Sequence, residues 1–109
     1  MKVSKLVALL GVGALAATLG IAQDKKGDAV KGKEVFEQCG VCHNADSNEK
    51  KMGPGLKGLY KKGKLANGKK VTDESVMAII NQGGNGMPAY EEMLTPEERA
   101  HVLAYLKTL

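Results

Sequence analysis

Beyond its first two dozen residues, the chain has three segments with apolar positions at helical spacing, separated by stretches with no periodicity. The first carries Val30, Val35, Phe36 and Cys39 and begins after Asp28, a side chain suited to cap it. Gly32 lies one turn before Phe36, and a glycine inside a helix costs about 1 kcal/mol against alanine, so a close helix crossing there is the expected reason. The second segment, DESVMAIINQ, follows the cap residue Thr72. It has acids in its first turn, sets Val76, Met77 and Ile80 on one face, and stops at Gly83. The third starts at Thr95 with Pro96 in the first turn and Glu98 completing a capping box. Val102, Leu103, Tyr105, Leu106 and Leu109 form its buried side. No stretch alternates as a strand would, so the pattern predicts an all-α domain of three helices joined by long loops.

The longest gap runs from residue 44 to residue 70 and is rich in Gly, Asn and Lys, with Pro54 inside it. A structureless loop of 27 residues is unusual in so small a domain unless it wraps something. Met52, Leu56, Leu59, Tyr60 and Leu65 are its apolar positions, expected to face a buried body. Composition points the same way. The 109-residue chain has 14 glycines, one Phe, three Tyr and no Trp, and domains with so little core borrow stability from a disulfide, a metal or another bound group.

The N-terminal segment is of another kind. Two lysines precede an uncharged apolar run from Leu6 to Ala22, which ends in small residues at Gly20 and Ala22 before polar QDKK. That order is the pattern of a secretory signal peptide, so residues 1–22 are expected to be cleaved after Ala22, leaving a domain over residues 23–109. The alternative is a retained tether, for which the run is short and diluted by glycine. Loss of Lys2 and Lys5 with the leader lowers the formal charge from +4 to +2, too mild to indicate a nucleic-acid partner.

The chemistry concentrates in QCGVCHN. Cys39 and Cys42 are the only cysteines, His43 follows the second directly, and His101 is the only other histidine. Thiol exchange usually occupies a strand-to-helix turn of an α/β fold, and no sheet is predicted here. A structural zinc site needs four ligands, and these spacings match no common finger. The spacing C-x-x-C-H is otherwise read as haem attachment, in which two thiols add to the porphyrin vinyl groups and the histidine is held under the iron. Export agrees, and haem would supply the missing apolar body.

With these residues in order, the chain resembles the class I c-type cytochromes, small monohaem electron carriers. Gly32 and Phe36 are similar to the family's glycine–aromatic pair, and Cys39, Cys42 and His43 to its attachment motif. Gly53-Pro54-Gly55-Leu56 resembles the turn after the haem histidine, Met87-Pro88 the methionine loop, and Leu103-Ala104-Tyr105-Leu106 the last helix, whose aromatic packs at the glycine. The resemblance implies the small cytochrome c fold around one covalent haem c. It implies thioethers at Cys39 and Cys42, iron ligation by His43 and Met87, and a hydrogen bond from His43 Nδ1–H to the Pro54 carbonyl. Of the other methionines, Met93 is the rival to Met87. His101 reads as a surface residue pairing with Glu97 four positions earlier. KKGKLANGKK, residues 61–70, holds five lysines and no acid; it is a solvated loop or, as the family implies, a dock for acidic partners.

The resemblance further implies a non-enzymatic monomer that shuttles single electrons between respiratory or photosynthetic complexes, at the outer face of the cytoplasmic membrane or in the periplasm. Two other classes stay open: an enzyme or gas sensor with five-coordinate haem, and a thiol oxidoreductase without haem.

Overall fold

The structure is a computed structural model and describes residues 27–109. The expected leader and its cleavage point lie outside the described residues.

Three helices form where the capping chemistry places them. Helix α1 spans Ala29–Phe36, and the Asp28 carboxylate accepts from the backbone N–H of Val30 at 2.8 Å. Helix α2 spans Asp73–Gln82 behind Thr72, whose hydroxyl accepts from Ser75 N–H while Ser75 Oγ accepts from Thr72 N–H. Helix α3 spans Pro96–Leu106, with Thr95 and Glu98 joined in the reciprocal bonds of a capping box. Two short 3₁₀ turns, Cys39–Val41 and Leu59–Lys61, complete the regular structure. Among the described residues no strand forms; there are isolated bridges only, Lys64 with Lys70 and Gly84 with Met87.

The crossing of α1 and α3 is the most extensive contact between elements. It is possible because residue 32 has no side chain: a Cβ there would overlap the His101 carbonyl oxygen and stand 2.8 Å from Tyr105 Cβ. One turn on, Phe36 and Tyr105 pack with ring centroids 5.3 Å apart, tilted by 58°, a geometry favoured by aromatic pairs. His101 sits in the same seam and does not pair with Glu97. Its Nδ1 accepts the backbone N–H of Asp28 at 2.8 Å, so it ties the start of α1 to α3.

Two other side chains differ from expectation. Val30, grouped with the apolar positions of α1, is 74% exposed. Tyr60 is only partly buried against the core. Its hydroxyl donates to Asp73 Oδ1 at 2.9 Å, and Lys107 Nζ donates to Asp73 Oδ2 at 2.9 Å. This cluster joins the long loop to the start of α2 and the end of α3. The Lys107 ammonium, with the Tyr60 hydroxyl, holds the Asp73 carboxyl below its usual range. Both ends of the ion pair are about half exposed, so it is worth at most about 1 kcal/mol.

Candidate functional site

Among the described residues eight hydrophobic side chains are buried: Phe36, Leu59, Val76, Ile80, Tyr90, Leu94, Val102 and Leu106. All eight also line one cavity of about 750 Å³. The hydrophobic core is therefore a shell. If such a space were closed and dry, the empty-cavity penalty of about 24 cal/mol per Å³ would exceed on the order of 10 kcal/mol, comparable to a domain's whole stability. This wall is built for a large apolar body.

The polar groups in the cavity are few and come from separated parts of the chain. Cys39, Cys42 and His43 enter at the end of α1, where the Cys42 and His43 N–H groups both donate to the Cys39 carbonyl, at 3.1 and 3.0 Å. Lys51 Nζ donates to the Gly40 carbonyl at 2.9 Å and binds the long loop to this turn. His43 Nδ1–H donates to the Pro54 carbonyl at 2.8 Å. In the neutral ring that leaves Nε2 unprotonated and able to coordinate a metal, and the carbonyl partner fixes the ring. The backbone at residue 53 lies against the imidazole: a Cβ on Gly53 would come within 2.5 Å of His43 Cε1 and 2.8 Å of Nδ1. Gly53 N–H also donates to the Cys42 carbonyl at 2.8 Å.

No disulfide joins Cys39 and Cys42. Burial, and secondarily the neighbouring Cys42, pushes the Cys39 thiol above its ordinary pKa. A thiol-exchange centre needs the opposite, a thiolate stabilised near neutrality.

Met87 reaches the cavity from the loop after α2, half-buried against the core. Met93 is 60% exposed and does not line the cavity. Met52 does line it, but it is 77% exposed and stands beside the attachment turn, its Sδ 3.8 Å from Cys42 Sγ. Leu56, Leu59 and Leu65 face the cavity as expected of the long loop. Tyr90 and Leu94 are wall residues that the sequence reading missed; their signal was the apolar pair four apart after Pro88. Lys50, Lys62 and Lys64 stand at the cavity's rim, exposed to solvent.

Residues 29–109 match the profile of the cytochrome c family. The chain belongs to that family. Among relatives, cytochrome c-550 of Novispirillum itersonii is 31% identical over 76% of this chain and 99% of its own length. Cytochrome c2 of Rhodopseudomonas palustris is 42% identical over 52% of this chain, a stretch that spans 40% of that protein. The crystal structure of cytochrome c6 from the diatom Phaeodactylum tricornutum superposes with a TM-score of 0.59 at 30% identity, covering 75% of this chain and 93% of that one. The small all-α cytochrome c fold and covalently bound haem c follow from membership. The donor set agrees on its own terms: two thiols in one turn, an oriented imidazole and an apolar shell around them.

Proposed function

We propose that this cytochrome c carries single electrons between larger respiratory or photosynthetic redox complexes, with His43 and Met87 as the two axial ligands of its iron. Haem c, when bound, supplies the one-electron couple. The chain's own residues do the rest. Cys39 and Cys42 tether the group by thioethers, and Pro54 orients His43 through Nδ1–H. The apolar shell keeps water away, which limits reorganisation when charge changes. The observation that carries the reading is that His43 and Met87, from separated segments, border one apolar cavity, with the Nδ1 proton of the imidazole already committed to the Pro54 carbonyl. A thioether opposite a histidine raises the potential and, by filling the sixth position, leaves none for oxygen or peroxide.

The test is the visible spectrum of protein matured with a haem-attachment system. Wild type is expected to show the weak far-red band of methionine-to-iron coordination and to resist carbon monoxide when reduced. Met87→Ala is expected to lose the band, lower the potential by on the order of 100 mV or more, since axial ligands set potentials over a wide span, and bind carbon monoxide. Ready carbon monoxide binding by wild type would favour a five-coordinate sensor or enzyme instead. The intact mass of the same sample reads the leader: Gln23–Leu109 plus one haem is expected, and a mass starting at Met1 would mean a tether. With the leader removed in this way, the carrier works as a monomer outside the cytoplasm. Among the described residues no helix is long and apolar enough to cross a membrane.

Lys50, Lys62 and Lys64 at the rim favour a redox protein or membrane complex with an acidic docking face, where complementary charge mainly raises the encounter rate. Electron transfer to an acidic partner is then expected to slow several-fold between about 10 mM and 200 mM salt, as screening shortens the Debye length. A salt-independent rate would reduce these lysines to solvating side chains.

A further inference from the structure

The segment that delivers Met87 has an unusual backbone. Gly83, Gly84, Asn85 and Gly86 all have positive φ, at 65°, 122°, 54° and 92°. Among the described residues Asn85 is the only non-glycine in that region. Gly84 N–H donates to the Met87 carbonyl at 2.9 Å and Met87 N–H donates to the Gly84 carbonyl at 3.0 Å. The reciprocal pair closes a two-residue turn over Asn85-Gly86, and the turn that needs positive φ at both central positions favours Asn-Gly.

The turn has a rigid base. Gly83 N–H donates to the Ile79 carbonyl at 2.7 Å, Tyr90 N–H to Ile80 at 2.9 Å, and Glu91 N–H to Asn81 at 3.3 Å, so both ends of the loop are fastened to the last turn of α2. A Cβ at residue 83 would overlap the Met87 carbonyl oxygen, which shows how closely the loop folds back. With both ends fastened, the conformation at residues 85 and 86 decides where the backbone of Met87 sits.

We infer that Asn85 is a positioning residue for the sixth ligand: its left-handed backbone closes the turn that holds the Met87 sulfur toward the iron. The inference rests on the reading of Met87 as a ligand. What matters at position 85 is tolerance of positive φ, which asparagine has, glycine has in greater measure, and alanine lacks. The amide group has no separate part in it.

The experiment is competition by imidazole for the iron of the ferric holoprotein, read with the far-red band, in wild type, Asn85→Ala, Asn85→Gly and Gly86→Ala. Asn85→Ala is expected to bind imidazole roughly tenfold more tightly and show a weaker band, from the strain of a β-carbon in the left-handed region. Gly86→Ala is expected to behave alike, because its φ is 92°, while Asn85→Gly is expected to stay within about threefold of wild type. These are surface loop positions, so the variants report on ligation and not on core folding. Imidazole affinity equal in wild type and Asn85→Ala would overturn the inference. Loss of the band in Asn85→Gly as well would also overturn it, since the amide and not the backbone would then be the active part. Failure of the underlying ligand assignment looks different: wild type itself would lack the band and would bind imidazole as tightly as Met87→Ala.

Discussion

Replacing Cys39 and Cys42 together by serine is expected to abolish both haem attachment and the folded state. The two losses are linked because the core and the cavity wall are the same residues. All eight buried side chains border the cavity; without a tethered body, none has an apolar neighbour across the space. Among the described residues there is no second hydrophobic core on which to fall back. Circular dichroism is expected to lose most of its helical signal, and the intact mass to show no added haem. A well-folded, haem-free double variant with a cooperative unfolding transition would overturn this account of the fold.

Gly32→Val is the second large effect. A β-carbon at residue 32 meets the His101 carbonyl and Tyr105 Cβ, and the first of these is backbone of a packed helix, unable to swing aside. Overpacking typically costs about 1–3 kcal/mol and more where the neighbour cannot move, so a loss of about 3 kcal/mol or more is expected, a large part of the stability of a small domain. Gly40→Ala is the control. Its new β-carbon would lie 3.7 Å from the Phe36 ring, an ordinary contact, and its midpoint in guanidinium chloride is expected to shift little. Similar midpoints for the two variants would mean that the crossing is loose enough to absorb a side chain.

The parts of this fold that were legible in the sequence are those decided within a few residues. Asp28, Thr72 and the Thr95–Glu98 pair start helices by bonding to backbone groups two or three positions away, and the spacing of Cys39, Cys42 and His43 is one turn of chain. Gly32 was legible as a crossing because a glycine in a helix needs a reason. The family resemblance then supplied an order of motifs, which the family match and the related fold support. What stayed hidden depends on distant partners. Tyr60 looked like another apolar side chain of the loop until Asp73 and Lys107 were brought beside it. His101 had Glu97 one turn away, yet a backbone N–H remote in sequence holds it instead. Tyr90 and Leu94 sit in a stretch too glycine-rich at its start to show periodicity, and they are buried from a loop that folds onto the core rather than from a helix face. Helical spacing also overcounted at Val30, which lies at the open end of α1.

The bond between Asp28 and His101 spans 73 positions, and that has a consequence for assembly. Every contiguous fragment that omits either end of the domain lacks the α1–α3 crossing. Closing a loop of that length costs about 4 kcal/mol by chain statistics alone, and it is met in a single step, when the first and last helices dock. The α1–α3 crossing therefore cannot form until the last helix of the chain has been made.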